Sequence, residues 1–208
     1  MDKKEYLFLL NNKSSDFIIK MENYAKINKV PIIQKSGLDL ITQIIKIGKC
    51  QRILEIGTAI GYSAINFALI NDDIEITTIE RDELMYETAL SNIQSLNLQT
   101  RINVIFQDAL DIDESSLGFD FDLLFIDAAK SQYQKFFIKF TKCLKPGALV
   151  IIDNLLFHDL VLKEQITNRN TRQLVSKIKA FNKWLSTNTD FDTKFFSIGD
   201  GIAVSIKK

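Results

Sequence analysis

The sequence predicts an α/β fold with a seven-stranded, mostly parallel sheet. Five nearly continuous apolar runs, at residues 52–57, 74–80, 102–107, 121–127 and 148–153, read as strands buried on both faces. Helical patterns separate most of them, which is the signature of β-α units. A last pair of runs, 191–197 and 202–206, flanks Ile198-Gly199-Asp200-Gly201 and reads as an antiparallel hairpin at the edge of the sheet. The chain has 208 residues, 46% of them apolar and 15 of them Phe, which is enough to bury one core. The expected organisation is a single domain, with N-terminal helices over residues 1–50 and a Rossmann-like core over 51–208.

Each element has its own signal. Pro31 breaks the N-terminal helices, and residues 36–47 place Leu40, Ile41, Ile44 and Ile45 at helical spacing. The first strand runs into Gly57, and Gly61 opens the next helix. Met85, Ala89, Ile93 and Leu96 share a helix face that Asn97 is placed to cap. Lys145-Pro146-Gly147 reads as a turn that stops a helix before the fifth strand. Over residues 172–185, Leu174, Ile178, Phe181 and Leu185 share one face, and Arg172, Ser176, Lys179 and Lys183 the opposite one.

Composition excludes some roles. Lys plus Arg and Asp plus Glu number 26 each, so no global charge draws the chain to nucleic acid or to an anionic membrane. The start, Met1-Asp2-Lys3-Lys4-Glu5, has no long apolar stretch behind it, and a signal peptide is not expected. No run approaches the roughly 20 apolar residues of a membrane span, so the expectation is a cytoplasmic protein without a membrane partner. Cys50 and Cys143 fit buried thiols of a reducing compartment, since neither lies beside a histidine.

Arg52-Ile-Leu-Glu55-Ile-Gly57-Thr58-Ala59-Ile-Gly61-Tyr62-Ser63 is the most informative segment. A strand, a glycine-bearing turn and a helix form the first half of a nucleotide-type crevice. The spacing is Gly-x-x-x-Gly, and the middle glycine that admits a dinucleotide pyrophosphate is replaced by Thr58 and Ala59. A ligand without a pyrophosphate follows, and S-adenosylmethionine fits. Ligands lie outside the carboxyl ends of parallel strands. Glu80, followed by Arg81, ends the second strand and can accept from both ribose hydroxyls, although a helix N-terminal charge is the plainer role. Asp108-Ala109 ends the third and can take the adenine amino group, although Asp108 is also a common turn residue. Acids at consecutive strand ends favour the binding role.

Strands four and five end at Asp127 and at Asp153-Asn154. If these strands are neighbours, two carboxylates and an amide oxygen meet, a hard ligand set suited to Mg²⁺, Mn²⁺ or Ca²⁺. Lys130, three residues after Asp127, can reach the same place. Asp153-Asn154 as a polar turn and Lys130 as a solvated helix-start lysine are the plainer alternatives.

Glu55-x-Gly57-Thr58-x-x-Gly61-Tyr62-Ser63, Asp127-Ala128-x-Lys130-x-x-Tyr133 and Asp153-Asn154 resemble the cation-dependent O-methyltransferases of the catechol and caffeoyl-coenzyme A type. The resemblance covers roughly residue 31 onward and, with Phe181-Asn182-x-Trp184-Leu185 and Gly199-Asp200-Gly201, extends to small bacterial members that methylate 5-hydroxyuridine at the tRNA wobble position. It departs from the family at Ala129, Ala148 and His158-Asp159. It implies a Rossmann-like S-adenosylmethionine-dependent methyltransferase. The cofactor contacts it implies are Ile33, Glu55, Gly57, Thr58, Tyr62, Ser63, Glu80, Arg81, Asp108, Ala109 and Asp127. It further implies a cation on Asp127, Asp153 and Asn154, Lys130 as general base, and a homodimer. tRNA is then the expected partner, with Lys13, Lys20, Lys26, Lys29, Lys35, Arg169 and Arg172 as candidate phosphate contacts. A catechol or hydroxycinnamoyl thioester acceptor is the enzymatic alternative, and a non-catalytic adenosine-ligand sensor the other. The presence of Asp127, Lys130, Asp153 and Asn154 together disfavours a sensor.

Overall fold

A computed structural model describes Tyr6, Leu10, Asn11 and residues 14–208. The segment read for a signal peptide and the candidate phosphate contact Lys13 lie outside the described residues. The chain divides into a unit ending at Ile32 and a larger unit from Ile33 to Lys208. The first contains helix α1 (Asp16–Asn28), started by the Ser15 side chain accepting from the Ile18 amide and stopped by Lys29 in the left-handed conformation. The second takes in α2 (Lys35–Gly48) together with the whole sheet, so the structural break falls before α2 rather than at residue 50.

Seven strands follow: β1 (Arg52–Ile56), β2 (Glu75–Glu80), β3 (Ile102–Phe106), β4 (Phe121–Ile126), β5 (Leu144–Ile152), β6 (Phe191–Phe196) and β7 (Ile202–Lys207). Between them lie α3 (Tyr62–Ala68), α4 (Glu83–Ser95), α5 (Tyr133–Phe140) and α6 (Arg169–Ser186). The sheet order is β3-β2-β1-β4-β5-β7-β6. The first five strands pair in parallel, and β7 is antiparallel to both β5 and β6. The expected architecture is present, including adjacency of the fourth and fifth strands. The connection from β3 to β4 carries only a 3₁₀ turn, Glu114–Leu117.

Both faces of the sheet are covered, which explains the unbroken apolar runs. On one face, Leu54, Leu124, Ile126, Val150 and Ile152 pack with Phe136, Phe137 and Phe140 of α5 and Phe181 and Leu185 of α6. Phe137 is the hub of an edge-to-face cluster, with ring centroids 5.3 Å from Trp184 and 4.8 Å from Phe191. On the other face, Phe67 of α3 meets Phe125 of β4 edge-on at 5.6 Å. In α2 the buried face is Leu38, Ile41 and Ile45, rotated slightly from the expected one, with Leu40 and Ile44 half-buried. In α6 it is Val175, Ile178, Phe181 and Leu185, with Leu174 at its margin. Asn97 does take the left-handed conformation after α4, with the Leu98 amide returning to the Ile93 carbonyl at 3.0 Å. Cys50 and Cys143 are free and buried, and burial pushes each thiol up to about 11.

The fifth strand departs from expectation. Lys145-Pro146-Gly147 does not precede it but interrupts it. Phe121 pairs with Leu144 and Leu123 with Leu149, so the proline segment is looped out inside β5. Proline has no amide to donate to a ladder, so it fits a sheet only at such an irregularity. The helix before it, α5, ends by passing into a 3₁₀ turn at Thr141–Cys143.

The parallel strands end in a staircase that sets the position of everything functional. The Gly57 amide reaches the Ile79 carbonyl at 3.0 Å, the Asp127 amide the Ile56 carbonyl at 3.0 Å, and the Asp153 amide the Ile126 carbonyl at 3.2 Å. The residue just past each strand is therefore locked to its neighbour's last carbonyl at the carboxyl edge.

Candidate active site

The β1–α3 turn is shaped by contact with β4. Gly57 has φ 102°, and a Cβ there would lie 2.3 Å from the Asp127 carbonyl oxygen. Only glycine lets the two strand ends approach this closely. Ala59, where a dinucleotide fold has glycine, is itself left-handed, and its amide donates to Glu80 Oε2 at 2.8 Å. Gly61 caps the start of α3.

Beneath the turn is a buried polar network. Glu55 is fully buried and faces Thr78 across the β1–β2 pair. The Ser63 hydroxyl donates to Glu55 Oε1, and Thr78 Oγ1 donates to Oε2 at 2.5 Å. Thr78 and Thr58 hydroxyls then meet at 2.6 Å. Burial pushes the Glu55 carboxyl up to about 8, against the pull of the Ser63 and Thr78 hydroxyls, and Asp127 and Glu80 raise it further. No cation of the chain is among the groups that perturb it, which suits a site that receives a positively charged ligand.

The tips of β2 and β3 are more heavily engaged than their sequence implies. Glu80 accepts from the Ala59 amide on Oε2 and from the Arg81 and Asp82 amides on Oε1, each of the latter at 2.9 Å. It thus acts as a local anchor ahead of α4, while an ionised carboxylate retains acceptor capacity for a further donor. Asp108 accepts from the Leu110 amide at 2.9 Å and from Arg81 at 3.0 Å, which together hold its carboxyl below the usual range. Both Asp108 oxygens therefore have partners within the chain. Ala109 and Tyr62 are buried beside these elements. Ile33 is buried against Gly37 of α2, where a Cβ would come within 3.3 Å of its side chain.

At the tips of β4 and β5, Ile126 pairs with Ile152, so Asp127 and Asp153 leave adjacent strands side by side. Asp153 is almost fully buried, and its Oδ1 accepts from the Asn154 amide at 2.7 Å. Lys130 Nζ donates to Asn154 Oδ1 at 2.5 Å, which gathers the lysine and the amide into the same cluster. The Phe157 ring lies 5.9 Å from Lys130 Nζ, and the buried Tyr133 hydroxyl donates to the Asp153 carbonyl at 2.9 Å. Burial pushes Asp153 up to about 7, with Asp127 adding to the effect. Desolvation raises Asp127 as well, opposed by Lys130. Lys130 offsets the desolvation of these neighbouring acids only in part, and a divalent cation would add positive charge beside them. Among the described residues no group of three His, Cys, Asp or Glu side chains is placed to hold a metal. A cation held here would need the Asn154 amide oxygen as a third donor, and hard cations accept such oxygens.

The loop that carries Asn154 is strained and clamped. Asn154, Phe157, His158 and Asp159 all have positive φ. The turn between β6 and β7 holds this loop. The Asp200 side chain accepts from the His158 amide at 2.6 Å, the Asp200 carbonyl from Leu156 at 2.8 Å, and the Gly201 carbonyl from Leu155 at 3.0 Å. A Cβ on Gly201 would sit 2.7 Å from Leu156 Cγ. His158 itself is exposed. Asp200→Ala should destabilise the protein by about 2 kcal/mol by stranding the His158 amide. It should also lower kcat by loosening Asn154, whereas Asp200→Asn, which keeps the acceptor, should restore both. Urea denaturation and steady-state kinetics of the two variants check this, and identical kcat values in Ala and Asn would refute the positioning role.

Thr78, bonded to Glu55, and Asp200, bonded to the His158 amide, are site-supporting positions to which the sequence reading gave no role. β2 carries two adjacent hydroxyls, Thr77 and Thr78, and the fully buried Thr78 pairs in register with Glu55. Asp200 between two glycines was read as part of a hairpin and of the family resemblance, without a task of its own.

The O-methyltransferase family matches residues 17–208. A caffeoyl-CoA O-methyltransferase of Populus kitakamiensis is 33% identical over 171 residues, which is 79% of this chain and 73% of that protein. A crystal structure of a Staphylococcus aureus protein, provisionally named a caffeoyl-CoA O-methyltransferase, is 41% identical, covers 99% of both chains and superposes with a TM-score of 0.92. TomG, an O-methyltransferase of Streptomyces achromogenes solved with S-adenosylmethionine, covers 100% of both chains at a TM-score of 0.84 and 23% identity, and shares the fold. With this sheet, this turn and a family match over nearly the whole length, the chain belongs to the O-methyltransferase family and is an S-adenosylmethionine-dependent enzyme.

Proposed function

We propose that this enzyme uses a divalent cation to methylate an acidic hydroxyl, and that its acceptor is 5-hydroxyuridine at the wobble position of tRNA. The observation that supports the chemistry is the meeting of Asp127, Asp153, Asn154 and Lys130 at the joined tips of β4 and β5. Asp127, Asp153 and Asn154 would hold the cation, whose charge stabilises the acceptor oxyanion when it is bound. Lys130 as the free amine takes the hydroxyl proton onto Nζ. The acceptor oxygen then forms its bond to the methyl carbon of the donor sulfonium as the carbon–sulfur bond breaks, which leaves a neutral thioether. The Gly57 turn, the Glu55 network, Glu80 and the Asp108–Ala109 tip hold the donor, and the Phe157 ring flanks Lys130. Support for tRNA comes from the resemblance to small bacterial members and from Arg169 and Arg172, which are exposed and have no side-chain partner among the described residues. A cytoplasmic homodimer completes the reading. Among the described residues no helix is long and apolar enough to cross a membrane.

A second reading, a small phenol or hydroxycinnamoyl thioester as acceptor, is favoured by the names of the Populus and Staphylococcus relatives. Labelled methyl donor and Mg²⁺, with hypomodified tRNA, caffeoyl-CoA or catechol, separate the two. Label should enter tRNA, vanish with EDTA and return with added Mg²⁺. Label entering only the small acceptors overturns the tRNA assignment.

A further inference from the structure

A cavity of about 470 Å³ opens between the start of α5 and the exposed side of α6, a size that suits part of a ligand. Lys130 is one of its walls, so the cavity adjoins the cluster where the proton is taken. Its other polar lining comes from Ser131, Gln132, Gln134, Lys135 and Lys177. No Asp or Glu lines it. The apolar part includes the rings of Tyr133 and Phe181, which belong to the rigid core beneath. Lys135 and Lys177 are exposed, and neither side chain has a hydrogen-bond or ion-pair partner among the described residues. Elsewhere in the larger unit, Lys142–Glu114 and Lys145–Asp122 are paired. A concave surface with the two unengaged ammonium groups of Lys135 and Lys177, amide and hydroxyl donors and no carboxylate attracts an anion, and a phosphoryl group satisfies several such donors at once.

We infer that this cavity is a phosphate-binding subsite for the acceptor, occupied by a phosphoryl group of the same molecule whose hydroxyl reaches Lys130. The inference rests on the proposed acceptor chemistry and deepens it, because the acceptor must then carry phosphate. That phosphate belongs either to the nucleic-acid backbone or to the coenzyme A portion of a thioester. A bare catechol leaves the cavity empty. The subsite supplies binding energy remote from the reacting atoms, so its loss appears in KM.

Two measurements test it. Inorganic pyrophosphate, titrated in EDTA-containing buffer into ¹⁵N-labelled protein, should shift the amide resonances of residues 131–135 and 177. Lys135→Glu with Lys177→Glu should abolish those shifts, and the corresponding double arginine variant should keep them. Steady-state kinetics on an anticodon stem-loop bearing 5-hydroxyuridine, on caffeoyl-CoA and on catechol then give the source. The charge-reversed variant should raise KM for one phosphorylated acceptor at least tenfold relative to catechol, with kcat within about twofold. A rise confined to the RNA assigns the phosphate to the nucleic acid, and one confined to the thioester assigns it to coenzyme A. An equal change on catechol, no change on either phosphorylated acceptor, or no pyrophosphate shift overturns the inference. If none of the three acceptors is methylated, the acceptor chemistry itself fails, while the pyrophosphate titration still decides the cavity.

Discussion

Asp153→Asn is expected to lower methyl transfer at least a thousandfold while the protein stays folded and still binds S-adenosylmethionine. Asparagine is nearly isosteric with Asp153 and keeps an oxygen to accept from the Asn154 amide, now at 2.7 Å. The fold therefore loses little. What disappears is one of two adjacent negative charges, and with it much of the attraction for a divalent cation. Cation assistance to a developing oxyanion contributes several kcal/mol, and about 4 kcal/mol corresponds to the thousandfold loss. Donor affinity should hold within about threefold, because the Glu55 network and Glu80 lie on β1 and β2. Lys130→Ala is expected to give a comparable loss by a different route, with the cation still bound. Mn²⁺ titration followed by electron paramagnetic resonance separates the two variants, and full Mg²⁺-dependent turnover in Asp153→Asn would refute the cation site.

Glu55→Gln should remove a large pH dependence of stability. The Glu55 carboxyl has an ordinary value near 4.5 and is pushed by burial to about 8. Below pH 4.5 both folded and unfolded chains carry the proton. Between 4.5 and 8 only the folded chain does, so unfolding releases a proton and stability falls as pH rises. Above about 8 the loss is complete. Over this window it amounts to on the order of 4–5 kcal/mol. Glutamine is neutral throughout and can exchange hydrogen bonds with Ser63 and Thr78, whose hydroxyls rotate to suit. In ligand-free protein, urea denaturation at several pH values should show the variant gaining on the wild type from pH 5 to 8. Parallel stability curves would show that Glu55 is ionised throughout. With the cationic donor bound the wild-type disadvantage should shrink, because a positive ligand favours the charged carboxyl.

The strand-turn-helix around Gly57 was legible in the sequence because it is local. So was the meeting of Asp127 with Asp153, since a doubly wound sheet places the fourth and fifth parallel strands together. The roles of Glu80 and Asp108 were legible only in part. Their positions at strand tips followed from the pattern, but their backbone and Arg81 partners depend on how the tips are staggered. The looped-out Lys145-Pro146-Gly147 segment was misplaced because proline and glycine mark a break without saying whether a strand resumes across it. Asp200 was missed for a nonlocal reason. Its task arises only when β7 inserts beside β5 and brings the β6–β7 turn against Leu155, Leu156 and His158.

The sheet order divides labour between its two halves. The groups proposed to hold the donor stand on β1, β2 and β3, whereas the loop after β5 and the hairpin clamp stand on the far side of β4. Insertions or exchanges in that far half can reshape what is modified without disturbing the universal methyl source.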